Sequence, residues 1–105
     1  MPVHAVKIHV GRTRDFTPGS SRAIDLLQLS IAVICLSDGT FHAIHNRCPY
    51  GGTVVSGKIS DHSIICTNHD CRIDVRTGKL LSPHIGEVET FPIETEDGLI
   101  YVTLE

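Results

Sequence analysis

The sequence predicts an all-β domain. Helical periodicity is almost absent, short runs rich in Val, Ile and Leu alternate with turn signals, and the strongest of those signals contain glycine. A chain of 105 residues suffices for one domain with one modest core. Ala5–Val10 reads as the first strand, and Thr17-Pro18-Gly19-Ser20 breaks the chain after it. Arg22–Leu27 and Ser30–Leu36 follow as strands. Ser37-Asp38-Gly39 is a hairpin signal, because glycine takes the positive φ that a tight turn needs, and Thr40–His45 pairs back. Ser63–Cys66 and Arg72–Val75 are short strands around a loop, closed by the turn Arg76-Thr77-Gly78-Lys79. Glu89–Thr95, the turn Glu96-Asp97-Gly98 and Leu99–Leu104 make a final hairpin. There is no internal repeat and no linker. The stretch from 46 to 86 reads as an insertion, richer in Gly, Cys and His and poorer in long strands than its flanks.

Composition excludes several function classes. The formal net charge is −3 and there is no basic stripe to meet phosphates, which argues against a nucleic-acid partner. No apolar run approaches the roughly 18 residues of a membrane span, and MPVHAVKIHVGRTRD lacks the basic start and apolar stretch of a secretory signal. The expected compartment is the cytoplasm, where thiols stay reduced and clustered cysteines bind metal more often than they form disulfides. From Glu87 onward the chain holds six acidic residues and no Lys or Arg: a solvated edge, or a docking surface for a basic partner. No nucleophile sits with a base, and no glycine-rich loop offers a phosphate cradle, so an electron-transfer or subunit role is expected over an enzyme's.

The chemistry lies in the insertion. Cys48 and Cys66 are separated by 17 intervening residues, and His69 follows Cys66 as C-x-x-H. Two loops that each offer a thiolate suit an iron pair held from two sides, since thiolates suit iron–sulfur clusters and imidazole suits iron. Glycines at 51, 52 and 57 let the first loop turn tightly. The bland readings stand beside this one. Cys35, in IAVICLS, reads as a buried small apolar residue, and His4, His9 and His62 as strand or surface residues.

The frame Cys48-Pro49-Tyr50, 15 residues, Cys66-Thr67-Asn68-His69 resembles that of Rieske-type ferredoxins, C-x-H and C-x-x-H. The flanks are similar too: Phe41–Arg47 before the first loop, Arg72–Lys79 after the second, and the closing Pro92-Ile93-Glu94 and Asp97–Val102. The resemblance runs from about residue 5 to the end. It implies a β-sandwich base with a small cluster-binding subdomain over 46–86, and a [2Fe–2S] centre with two cysteines on one iron and two histidines on the other. This chain departs from the pattern at three positions. Tyr50 stands where the first histidine belongs, Thr67 replaces a usual proline, and Asp70 a usual glycine.

Cys48, Cys66 and His69 are therefore the expected ligands, and four residues compete for the remaining place. Tyr50 ranks first, because ferric iron accepts tyrosinate. His84, in a proline-containing loop that the family lays over the cluster, ranks second. Cys71, two residues past His69, is third, and His45, expected at a strand end pointing away, is fourth. An anionic phenolate or thiolate in place of one imidazole favours the oxidised cluster and lowers its potential. Zinc on Cys48, Cys66, His69 and Cys71 is the alternative metal. The resemblance implies a one-electron carrier between a reductase and an oxygenase or similar enzyme. The alternative is a cluster-free Rieske-fold subunit, like the small subunit of nitrite reductase. A zinc-stabilised interaction module is the third reading.

Overall fold

The computed structural model describes residues 5–55, 57–66, 71–81 and 85–104. Ten strands and one 3-10 turn, Thr13–Asp15, make up its regular structure among those residues. The strands are β1 Val6–Arg12, β2 Ser20–Asp25, β3 Ser30–Cys35, β4 Phe41–His45, β5 Lys58–Ser60, β6 Ser63–Ile65, β7 Arg72–Asp74, β8 Thr90–Phe91, β9 Ile93–Glu96 and β10 Leu99–Leu104. They form three antiparallel sheets, ordered β1-β10-β9, β2-β3-β4-β8 and β5-β6-β7.

β3 organises the packing. Successive side chains of a strand point to opposite faces, and a strand covered on both sides reads as a continuous apolar run. In β3 and the residue after it, Ile31, Val33 and Cys35 enter one core, with Phe16, Ala43, Ile100 and Val102. Ala32, Ile34 and Leu36 enter a second core, with Ile44, Val54, Ile64, Ile73 and Val75. The first core fills the sandwich between the β1-β10-β9 and β2-β3-β4-β8 sheets. The second fixes the β5-β6-β7 sheet to the opposite face of the same wall. Cys35 is a packed apolar residue of the sandwich, and burial pushes its thiol pKa up.

The all-β expectation and the sandwich hold, with differences at particular elements. β2 ends at Asp25, because Leu26 starts a turn in which its N–H donates to Leu29 O at 2.7 Å. The expected strand Glu89–Thr95 is two strands. Pro92 has no N–H for a ladder, so the chain leaves β4's sheet after Phe91 and joins β10's at Ile93. β5 had no signal of its own: Lys-Ile-Ser carries one apolar residue, and its turn to β6 uses Asp61 at φ 53° rather than glycine. At the β3–β4 hairpin the Asp38 carboxylate accepts Thr40 N at 3.0 Å and Thr40 Oγ1 at 2.6 Å. These bonds hold its pKa below the usual carboxylate value.

Because both cores share β3, they are expected to unfold together. Ile34→Ala empties a fully buried position in the second core and should cost about 2–5 kcal/mol. Far-UV circular dichroism and tyrosine fluorescence should still report one coincident urea transition. Two separated transitions would show that the cores are independent.

Candidate metal centre

Two loops rise from the second core toward one end of the molecule. The first leaves β4 at Asn46. Cys48 N donates to Gly52 O at 3.0 Å, and Gly51 N donates to Cys48 O at 2.9 Å, so Cys48 sits at the root of a tight turn. Gly51 and Gly52 take φ of 109° and 83°. Gly57 is needed for a different reason from the expected tight turn. Its φ is not positive, but a Cβ there would lie 2.4 Å from Ile65 O and 3.1 Å from Ile64 Cγ1. The chain leaving the first loop lies directly on β6. The second loop extends the β6–β7 hairpin: beyond the Ile65–Arg72 pair, Cys66 N donates to Cys71 O at 2.8 Å. Cys66 and Cys71 thus face each other just beyond the paired ends of β6 and β7.

Cys48, Cys66 and Cys71 are all buried, at 1%, 3% and 0% exposed, and are unbridged. Their thiols are in mutual contact. Burial is the main reason the Cys66 thiol is pushed up to about 12, and its contacts with Cys48 and Cys71 add to it. Burial and Cys48 push Cys71 up as well. The fold therefore delivers three buried thiols from two loops to one place. They are soft donors of the kind that iron–sulfur clusters and zinc use. The described residues alone do not complete a metal site.

The other candidates divide clearly. Tyr50 stands on the first loop, 46% exposed, with its hydroxyl 3.5 Å from Ile85 O. It therefore reaches toward the segment that carries His84. His69, His84, Thr67 and Asp70, like His4, lie outside the described residues. His45 ends β4 in step with Phe41 and Ala43, which belong to the sandwich core, whereas Ile44 faces the thiols' core. The alternation of the strand turns it from the site. His9 stacks on Tyr101 with ring centroids 5.7 Å apart, and His62 lies 4.0 Å from the Asp38 carboxylate. Sequence reasoning gave no sign of Asn46, which closes the first loop. It is a buried amide whose Oδ1 accepts Val54 N and Val55 N, each at 3.0 Å. The acidic residues from Glu87 to Asp97 are exposed but not isolated from cations. Lys7 pairs with Glu94, and Arg12 and Arg14 share a shallow recess with Asp97. No helix among the described residues is long and apolar enough to cross a membrane.

A sandwich with an appended three-stranded sheet, and thiols from two loops meeting above it, defines an iron–sulfur domain of the Rieske kind. The family model for the Rieske [2Fe-2S] domain matches residues 6–92, and the chain belongs to that family. It is 36% identical over 70 residues to the ferredoxin subunit of 3-phenylpropionate/cinnamic acid dioxygenase from Photorhabdus laumondii, covering 64% of this chain and 67% of that one. It is 33% identical over 97 residues to the anthranilate 1,2-dioxygenase ferredoxin subunit of Burkholderia cepacia, covering 90% and 89%. Among solved structures, a chain in the complex of reduced oxygenase and oxidised ferredoxin of carbazole 1,9a-dioxygenase superposes with a TM-score of 0.83 at 26% identity, covering 90% of this chain and 99% of that one. A chain described as the small subunit of an NADH-dependent nitrite reductase from Mycobacterium tuberculosis superposes with a TM-score of 0.88 at 21% identity, covering 98% of both, and shows the shared fold.

Two outcomes follow for the metal-free chain. Gly57→Ala drives a Cβ into backbone and should cost about 2 kcal/mol or more in a denaturant titration, while Gly52→Ala, with open space around it, should cost only the about 1 kcal/mol of its positive φ. Burial also favours the neutral Cys66 thiol. An unfolded thiol ionises near its ordinary value of 9.0, whereas the folded one resists until about 12. The unfolded state thus releases its proton first, so this contribution to stability is whole below about pH 9 and is lost as pH rises toward 12. Urea midpoints measured from pH 7 to 11 should fall for the wild type and fall less steeply in Cys66→Ala, where the raised Cys35 and Cys71 thiols remain.

Proposed function

We propose that this chain is a one-electron carrier of the cytoplasm that holds a [2Fe–2S] cluster at the two-loop end and passes electrons from a reductase to an oxygenase or a similar enzyme. The observation that carries this reading is the convergence of Cys48 and Cys66 from separate loops into one buried, desolvated position. The ferredoxin subunits among its relatives support the assignment of role. The cluster, when bound, supplies reversible one-electron chemistry. The chain supplies the rest. Cys48 and Cys66 provide two thiolates after losing their protons, and His69 provides an imidazole. The β5-β6-β7 sheet, anchored to β3 and β4, fixes the distance between the loops. The exposed side chains of Tyr50 and Ile85 give that end an apolar rim against which a redox partner can exclude water.

Tyr50 is assigned as the fourth ligand. It occupies the histidine's place in the frame and lies on the first loop, next to the segment after His84. Cys71 lies against Cys48 and Cys66, on the side those two already serve. Cys48 and Cys66 would hold the cluster from that side, and Cys71 would pack beside them as a neighbour and not a ligand. A cluster-free subunit is the weaker reading, because nothing in packing alone requires three buried thiols to meet.

The test is an iron, acid-labile sulfide and zinc analysis of anaerobically purified chain, with a visible spectrum and a redox titration. About two irons and two sulfides per chain are expected, with a potential below the roughly −150 to +300 mV of two-histidine centres. Tyr50→His should raise the potential into that range, and Cys71→Ser should keep the iron. Zinc without sulfide would replace the carrier with a zinc module. A colourless, metal-free chain after reconstitution would establish a cluster-free subunit.

A further inference from the structure

We propose that Asn46 is the positioning residue of the first metal-binding loop, acting as a clamp that holds Cys48 and Tyr50 in place before any metal arrives. The inference deepens the cluster reading and rests on it for its purpose. Asn46 follows β4 directly and is 6% exposed. Its backbone N–H donates to Ser30 O at 2.9 Å, which fixes it to the start of β3. Its Oδ1 accepts the N–H groups of Val54 and Val55, both at 3.0 Å, and its Nδ2 donates to Ser30 Oγ at 3.0 Å. One side chain therefore ties the entrance of the loop to its exit, with Cys48 two residues and Tyr50 four residues inside the closed ring.

The chemistry requires an amide. Ser30 spends its hydroxyl proton on Asp25 Oδ1, at 2.6 Å, and has only lone pairs left for Asn46. A carboxylate would meet those lone pairs with more lone pairs. A hydroxyl side chain is too short to reach both valine N–H groups and Ser30. Only an amide offers an oxygen for two donors and an N–H for the serine, and it does so without placing a charge in the same core as the thiols. The pairing also makes the loop's order a property of the base, because Ser30 and Asp25 belong to the ends of β3 and β2.

The experiment compares wild type, Asn46→Ala, Asn46→Asp and Ser30→Ala as metal-free, reduced full-length chains. Amide hydrogen exchange and the rate of Cys48 alkylation are the readouts, with Cys35 as the internal reference thiol. In N46A, Val54 and Val55 are expected to exchange about tenfold faster or more, and Cys48 to alkylate faster. The Val33 and Ile44 amides and the Cys35 thiol should change much less. N46D keeps an oxygen for both donors but sets a carboxylate against the lone pairs of Ser30, so Val54 and Val55 should exchange faster than in wild type and slower than in N46A. S30A leaves the Asn46 oxygen in place and should stay within about threefold of wild type. If all amides accelerate together in N46A, Asn46 acts on global stability alone and the proposal fails. If N46A does not fold, wild-type Val54 and Val55 amides that exchange as fast as unprotected ones overturn it. Chain reconstituted with iron and sulfide supplies a separate readout. Where wild type takes up the cluster, N46A should alter its visible circular dichroism. Where wild type takes up none, the cluster reading fails while the exchange result on the clamp stands.

Discussion

Everything at the metal end depends on one strand being buried from both sides. From Ile31 to Cys35 β3 has water on neither face and no polar position to spare, and it spends those side chains alternately on two cores. The sandwich on one face and the three-stranded sheet on the other share a single wall about one strand thick. Movement of that wall is opposed by packing on both sides, which is why an end built mainly from loops can still hold cysteine side chains in contact. The apolar contacts supply the rigidity, and the loops only extend from it.

The thiols show what that rigidity is for. Bringing three cysteines together in a desolvated core is unfavourable for ionisation, and the raised Cys66 and Cys71 values record it. A metal-free chain therefore keeps its thiols protonated and poorly nucleophilic. A metal reverses this balance, because it replaces the protons and brings positive charge to the thiolates. Tyr50 differs from them in being half-exposed at the rim, where a phenol contacts solvent, the neighbouring segment and any approaching partner.

The fold was largely legible in the sequence, and the reasons are local. IAVICLS announced a buried strand, Ser37-Asp38-Gly39 its hairpin, and Leu99–Leu104 the closing strand. Cys48 and Cys66 were recognisable from their spacing, and the structure brings their side chains together. What stayed hidden lacked a one-dimensional signal. β5 is held by its partner rather than by its own composition, and Asp61 does the work that a glycine would advertise. Asn46 looks like any polar residue at a strand end until two other segments, at Ser30 and at Val54–Val55, arrive at its amide. The need for Gly57 comes from β6 lying against it, which no turn rule foresees.

Pro92 has a role that its place in a loop between two short strands does not advertise. β8 is an edge of one sheet and β9 an edge of the other, and both are exposed to pairing with a foreign strand. A single peptide segment forms both edges, and the residue joining them has no N–H to offer, while its carbonyl is already taken by Thr103 N at 2.9 Å. The seam between the sheets is thus closed to strand addition at its midpoint. A small β protein of this construction, with exposed glutamates on either side of the seam, is guarded against polymerising through the flank that its two sheets share.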